Sequence, residues 1–271
     1  MSGLTEVDLR DFPLPRHHDE STKHDRGTVV VAGGSPTTPG AVLLAGLAAL
    51  RSGAGRLRIV TEPEVRTAVG VAVPEALVTD EPSACRRAEA VLVGPGVLDE
   101  GAAARLLDAA VEAMGDEGVL VVDAGALPAA AGRAGRLRGL GGRVLLTPNP
   151  GELTSAFGCD GPDELPALAD RLGAVVALRG AETFVAVPGE AGCLVERSGA
   201  LGLATSGSGD VAAGIAAGLA ARGASPVTAA VWSAAIHGGA GERLSAAVGP
   251  VSFLARELLD EIPHVLADLD G

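Results

Sequence analysis

Short apolar runs, most without a polar position inside them, recur along the chain at residues 28–32 (TVVVA), 56–60 (RLRIV), 90–93 (AVLV), 119–122 (VLVV), 144–147 (VLLT), 174–178 (AVVAL) and 183–187 (TFVAV). Continuous runs of this length predict strands covered on both faces. Alanine-rich stretches at 41–52, 101–114, 163–172, 211–222, 226–245 and 250–261 separate or follow them, and Gly53, Gly173 and Gly223 close three of these stretches. That is the pattern of helices with glycine at the C-terminal end. Strands alternating with helices build βαβ units, so the expected fold is α/β, a three-layer α-β-α sandwich around a mostly parallel sheet. The first 26 residues, with Pro13, Pro15 and alternating charges, read as an irregular lead-in. No repeat or linker interrupts the rest, and residues 1–271 are expected to form one domain.

Composition narrows the function classes. An apolar content of 47% over 271 residues is enough for a large core. The formal net charge of −13 predicts no nucleic-acid partner, which would need a basic stripe. A phosphate-bearing ligand would have to be held by local N–H groups and a few basic side chains, against the overall field. Aromatics are 2% with no Tyr, so stacking platforms for bases are scarce. Cys85, Cys159 and Cys193 lie far apart without metal-ligand spacing, and are expected to be buried free thiols of a reducing compartment. The polar N-terminus is unlike a signal peptide, and the longest apolar run, 41–50, is too short to cross a bilayer. The expected location is the cytoplasm, with no membrane partner. His17, His18 and His24 are expected to be solvated rather than metal-bound.

In such folds ligands sit beyond the carboxyl ends of the strands, and five loops there carry unusual residues. Gly33-Gly34-Ser35 lets the backbone approach a phosphate or ribose closely. Gly94-Pro95-Gly96 follows the third run, and Asp123, after the fourth, serves either a metal or substrate hydroxyl or a plain turn cap. In Thr147-Pro148-Asn149-Pro150-Gly151-Glu152 the prolines and glycine predict a tight turn. Glu152 either approaches a phosphate through Mg²⁺, directly or by way of water, or sits in the first turn of a following helix. The strongest loop is Ala204-Thr205-Ser206-Gly207-Ser208-Gly209-Asp210, which runs into a small-residue helix. Its amides from Gly207 to Asp210 are expected to be uncovered and to bind an anion. Asp210 is then a carboxylate able to take a hydroxyl proton, or else a simple N-cap. Asp123, Glu152 and Asp210 would share one rim. His237, within a mostly apolar stretch, and Trp232 are expected to be core residues.

These segments in combination resemble a known family. GSGD before a small-residue helix is similar to the anion hole and catalytic aspartate of ribokinase-like enzymes. GGSPTTPGAVLLAGLAALRSGAG, Val73-Pro74-Glu75, the GPG turn, VVDAGAL, LLTPNPGEL, LRGAET and ATSGSGDVAAGIAAGL follow in the order of the ADP-dependent (S)-NAD(P)H-hydrate dehydratases, from about Lys23 onward. The resemblance implies repair of hydrated NADH or NADPH. ADP or ATP, with Mg²⁺, donates a phosphoryl group to the ring hydroxyl, and phosphate then leaves. It implies that Asp210 is the base and that Gly207, Ser208 and Gly209 hold the phosphoryl group. Ala41, Gly96, Leu98, Asn149 and Asp210 would touch the hydrated dinucleotide, and Arg179, Gly180, Ala181, Glu182, Thr183 and Gly209 the adenine nucleotide. It also implies a homotetramer. The epimerase domain often fused ahead of such domains is not expected in 271 residues, so the S epimer alone should be used.

The chain departs from the family pattern at four places. Asn149 stands where the family usually has His, Arg179 where it has Lys, Leu98 where it has a third Gly, and Gly125 where it has the second Asp of Asp-Ala-Asp-Ala-Leu. Arg179 keeps the charge but not the shape. Asn149 with Glu152 reads Asn-x-x-Glu, which resembles the metal-and-phosphate motif of ribokinase-like kinases. Two other functions therefore stay open at this point: a kinase of a vitamin-like alcohol using Asp210 as base, and a catalytically weakened nucleotide-binding protein.

Overall fold

The computed structural model describes residues 3–16 and 22–270. Its strands are β1 (Leu4–Glu6), β2 (Thr28–Ala32), β3 (Arg56–Val60), β4 (Ala76–Thr79), β5 (Ala90–Val93), β6 (Val119–Val122), β7 (Val144–Leu146), β8 (Val175–Arg179), β9 (Thr183–Ala186) and β10 (Cys193–Glu196). The helices are α1 (Gly40–Arg51), α2 (Pro63–Ala72), α3 (Glu100–Ala113), α4 (Leu127–Ala131), α5 (Ala134–Arg138), α6 (Pro150–Phe157), α7 (Leu165–Leu172), α8 (Ser208–Ala221), α9 (Pro226–Ala247) and α10 (Ala255–Asp270). The strands form one sheet in the order β1-β10-β9-β8-β7-β6-β5-β2-β3-β4. From β4 to β8 every neighbour is parallel, while β9 pairs antiparallel with both β8 and β10.

Strand side chains alternate between two cores, as a pleat requires. Val29, Val31, Leu92 and Val121 face a layer built on α1, α8, α9 and α10. Val30, Val91, Val93, Leu120 and Val122 face a layer built on α3, α4, α6 and α7. Helix α8 is buried over most of its length. It touches α1 backbone to backbone, since a methyl on Gly214 or Gly218 would stand 2.2 or 2.4 Å from the carbonyl oxygens of Ala45 or Ala49. This contact fixes the middle and C-terminal half of α8 against α1. The expected three-layer α/β sandwich with a mostly parallel sheet is what the chain forms.

The structure differs from the sequence expectation at several elements. The lead-in contains a short strand, β1, beside β10. It was illegible because its three residues are all exposed and carry no apolar rhythm. Residues 250–254 stay outside the last helix, which starts at Ala255 where the Glu257 carboxylate accepts the Leu254 N–H, and it runs through Pro263 to Asp270. Residues 147–149 turn directly into α6 at Pro150, so Glu152 sits in the first turn of a helix, the second of the two readings of that segment. Trp232 is buried, and its indole N–H also donates to the Phe12 carbonyl at 2.6 Å, tying the lead-in to α9. His24 is exposed, and His17 and His18 lie outside the described residues. Cys85, Cys159 and Cys193 are free and buried. Among the described residues no helix is long and apolar enough to cross a membrane.

Candidate active site

Strand order turns around between β2 and β5, since the chain runs outward from β2 through β3 to β4 and from β5 through β6 to β8. The loops beyond these two strands therefore part and leave a crevice. Thr38 bridges it by donating its hydroxyl to the Gly96 carbonyl at 2.7 Å. A methyl on Gly96 would stand 2.9 Å from the Ala41 Cβ, so Ala41 and Gly96 face each other directly. Leu98 is 69% exposed on the same loop. The loop is pressed onto the turn after β6: a Cβ on Gly125 would lie 1.9 Å from the Val97 carbonyl oxygen. No side chain fits there, which accounts physically for glycine at that departure from the family pattern.

A cleft of about 630 Å³ opens farther along the same rim, between β7, β8 and the N-terminal end of α8. Arg179 stands at its base and cross-links three loops. Its Nε donates to the Thr147 carbonyl at 2.9 Å, one terminal nitrogen to the Gly209 carbonyl at 2.7 Å, and the other to Asp123 Oδ1 at 2.6 Å. Thr147 Oγ1 donates to the same Asp123 oxygen at 2.8 Å. Asp123 is 1% exposed, and burial pushes its carboxyl up while Arg179 and Thr147 oppose that shift. Asp123 is thus a buried partner for Arg179 rather than a turn cap.

Gly207 precedes α8 with φ of 87°, a conformation that glycine adopts without strain. The amides expected to be uncovered are not all so. Ser208 N–H turns back to the Thr205 carbonyl at 3.2 Å, whereas no backbone acceptor among the described residues outside the helix meets the N–H of Gly209 or Asp210. Those two amides point out of the first turn together with the positive end of the helix. The Asp210 carboxyl beside them is pushed up to about 7, by burial first and then by Asp123, with Glu152 adding and Arg179 opposing. A carboxylate that titrates near neutrality suits proton acceptance. Gly207 in turn abuts Leu44, one helical turn beyond Ala41, so the α8 loop lies between the crevice and the cleft.

Asn149 and Glu152 form a capping box at the start of α6. Asn149 Oδ1 accepts the Glu152 N–H at 2.9 Å, and Glu152 Oε2 accepts the Asn149 N–H at 2.9 Å. Burial pushes the Glu152 carboxyl up, and Asp123 adds to this. Among the described residues no three His, Cys, Asp or Glu side chains gather closely enough to hold a metal. The donor set suits Mg²⁺ carried by nucleotide phosphates, which commonly takes one or two carboxylates and several waters. With Asp123 paired to Arg179, Glu152 and Asp210 are the carboxyls left near the cleft, and Glu152 keeps one oxygen free of the cap.

Of the residues expected to touch nucleotide, Arg179, Gly180, Ala181, Thr183, Ser208 and Gly209 line the cleft, and so does Asn149. Glu182 does not; it pairs with Arg197. Gly207 lies behind, against Leu44 and Ala255. Two parts of the wall were not anticipated. The segment from Ser198 to Leu203 closes one side, held where Glu196 accepts the Ser198 amide and hydroxyl and Glu242 accepts the Gly199 amide. His237, expected to be core, is packed into the protein but presents an edge to the cleft and lies 2.8 Å from the Ser208 hydroxyl. The available signal was a polar residue in an otherwise apolar helix, which packing alone also explains.

Comparison with known proteins gives a consistent picture. Residues 29–264 match the family described as NAD(P)H-hydrate dehydratase. An ADP-dependent (S)-NAD(P)H-hydrate dehydratase from Xanthomonas campestris is 40% identical, over 97% of this chain and 95% of its own length. The chain spans about half the length of the bifunctional NAD(P)H-hydrate repair enzymes that it also matches. Among solved structures, the ADP/ATP-dependent NAD(P)H-hydrate dehydratase from Bacillus subtilis, co-crystallised with ATP and Mg²⁺, superposes with a TM-score of 0.84 at 28% identity, over 99% of both chains. A ribokinase-like protein from Enterococcus faecalis gives the same TM-score at 22% identity, over 100% of this chain and 98% of its own, and so shares the fold.

Proposed function

The chain belongs to the NAD(P)H-hydrate dehydratase family, and from that membership we propose that it returns (S)-hydrated NADH and NADPH to NADH and NADPH at the expense of ADP or ATP. It is an enzyme, a carbon–oxygen lyase on the ribokinase-like fold. The observation that carries the assignment of roles is the placement of the Asp210 carboxyl, pushed up by burial and Asp123, at the free amides of Gly209 and Asp210 and next to the Gly209 carbonyl that Arg179 holds.

In this reading the adenine nucleotide lies in the cleft, along Arg179, Gly180, Ala181 and Thr183. The hydrated nicotinamide lies in the crevice by Ala41 and Gly96, with Leu98 at its mouth, and Asn149, at the cap of α6, meets the dinucleotide from the cleft side. Asp210 takes the proton of the ring hydroxyl as the hydroxyl oxygen forms a bond to the terminal phosphorus of the nucleotide, whose phosphoanhydride bond breaks to release AMP from ADP, or ADP from ATP. The amides of Gly209 and Asp210 hold the phosphoryl oxygens, with donors preorganised where charge develops. The ring carbon–oxygen bond then breaks as the neighbouring ring carbon loses a proton, so that phosphate leaves and the ring double bond is restored. Mg²⁺, when bound, neutralises phosphate charge; Glu152 would hold it through water. Exposed Val248, Val251 and Leu254 support a homo-oligomer, a tetramer by family resemblance. Three buried free thiols support a reducing, cytoplasmic setting.

The test is to supply a mixture of both epimers of hydrated NADH with ADP and Mg²⁺, then separate the products chromatographically. The S epimer should disappear, with NADH, AMP and phosphate formed. A stable phosphate ester of the dinucleotide or of an added alcohol would instead mark a kinase, and absence of any turnover would mark a nucleotide-binding protein.

A further inference from the structure

One hydrogen bond in the cleft takes no part in the mechanism above. Ser208, the first residue of α8, is 3% exposed and lines the cleft. Its amide is engaged with Thr205, so it cannot join the amides of Gly209 and Asp210 in holding an anion. What Ser208 has left to present is its hydroxyl, which carries one proton and two lone-pair sites. Which of these faces the cleft depends on His237, whose Nε2 lies 2.8 Å from Ser208 Oγ.

The position of His237 is closely fixed. Ala230, Ser233, Ala234 and His237 recur at helical spacing along α9, and all four line the cleft. One residue on, Gly238 is seated so tightly that a methyl there would stand 2.3 Å from the Ser198 carbonyl oxygen. The helix therefore cannot rotate to carry the imidazole away. Burial, and next the charge of Arg179, push that imidazole down to about 4, so it is neutral under working conditions.

A neutral imidazole carries one proton, on either nitrogen. With Nε2 bare, it would accept the serine O–H and leave only oxygen lone pairs facing the cleft, which repel a phosphoryl oxygen. With Nε2 protonated, it donates to Oγ, and the serine O–H is free to donate into the cleft. We propose that His237 is a positioning residue: its Nε2–H donates to Ser208 Oγ and so makes the serine hydroxyl a further donor to the transferred phosphoryl group. The proposal deepens the phosphoryl-transfer reading and rests on it. It gives Ser208 a role that its side chain, and not its backbone, performs.

Kinetics of Ser208→Ala, His237→Leu, His237→Gln and the Ser208→Ala/His237→Leu double variant test it. Loss of one transition-state donor costs on the order of a hundredfold in kcat where the donor is fully engaged, and about tenfold or more is expected for Ser208→Ala. His237→Leu should lose a similar factor alone, yet change the Ser208→Ala background by less than about twofold, because the two act as a unit. Nucleotide KM should move little. His237→Gln, which can place an amide N–H near Nε2, should recover most of the loss. Losses that multiply in the double variant, or a Gln variant as poor as Leu, would overturn the proposal.

A second measurement is independent of turnover. Imidazole ¹⁵N spectra of the wild type should show His237 protonated at Nε2 with ADP bound, and that signal should shift in Ser208→Ala. A bare Nε2 with ADP bound would overturn the proposal even in a fully active enzyme. The spectra also separate it from the reading beneath it. A wild type that binds ADP with Nε2 protonated but never restores NADH would sink the dehydratase reaction and leave the hydrogen-bond assignment standing.

Discussion

Replacing Asp210 by asparagine isolates the cost of burying its carboxylate near Asp123 and Glu152. The group's pKa is raised from an ordinary 3.8 to about 7 in the folded chain. An acid with a raised folded pKa holds its proton more tightly in the native state than in the unfolded one. Its contribution to stability is therefore fully present below about pH 4 and is lost as pH rises towards 7. The full shift corresponds to roughly 4 kcal/mol at about 1.4 kcal/mol per pH unit. Because part of the carboxyl still meets water, about 2 kcal/mol is the more realistic size. Asparagine has the same shape and no charge, so Asp210→Asn should match the wild type in urea unfolding near pH 4. It should exceed the wild type by about 2 kcal/mol at pH 8, while losing at least about a hundredfold in turnover. A stability difference that does not grow with pH, or a wild type more stable than the variant at pH 8, would refute the electrostatic reasoning.

Other perturbations follow from the same contacts. Arg179→Met strands the buried Asp123 carboxylate and should cost about 3–5 kcal/mol in chemical denaturation, of which Asp123→Asn in the same chain should recover a large part; a loss under about 1 kcal/mol would mean that the pair is not formed. Asn149→Ala removes the cap of α6 and should cost about 1 kcal/mol of stability, whereas Asn149→Asp should keep it; calorimetry should also show weaker dinucleotide binding in the alanine variant, and an altered Mg²⁺ requirement with unchanged dinucleotide affinity would point to metal organisation instead. Gly125→Asp, although it introduces the residue usual in the family, drives a Cβ into the Val97 carbonyl and should lower stability by about 1–3 kcal/mol in thermal unfolding; an unchanged melting temperature would mean that the two loops part freely.

The central strands were legible because burial on both faces writes itself as unbroken apolar runs: β2, β5 and β6 match the runs residue for residue, and β3 does so although Arg56 and Arg58 interrupt its run. Edge elements were not. β4 is half-buried at one margin of the sheet and β1 is exposed at the other, so neither carries a pattern. Asn149-Pro150-Gly151-Glu152 contained a start signal for α6, with a cap, proline at the first helical position and glutamate at the third, yet its prolines and glycine read equally as a turn. The loop before Asp210 stood out in the sequence as a candidate anion site because its composition is unusual. That the Ser208 amide is taken by Thr205 is a matter of backbone geometry, which composition does not encode. The pairing of Asp123 with Arg179 spans 56 residues and appears only once β6 and β8 are placed on either side of β7. Arginine at 179 also fits a chain-wide habit, since Lys23 is the single lysine among 21 basic residues.

The central claim is that Asp210 drives a dehydration coupled to phosphoryl transfer. Its most direct test is the simultaneous measurement of NADH regained and phosphate released from (S)-hydrated NADH and ADP with Mg²⁺, for the wild type and for Asp210→Asn. The account predicts equimolar NADH and phosphate from the wild type, with ADP converted to AMP, and almost none of either from a variant that still binds ADP. NADH regained without nucleotide consumption, or an Asp210→Asn variant that turns over like the wild type, would contradict it.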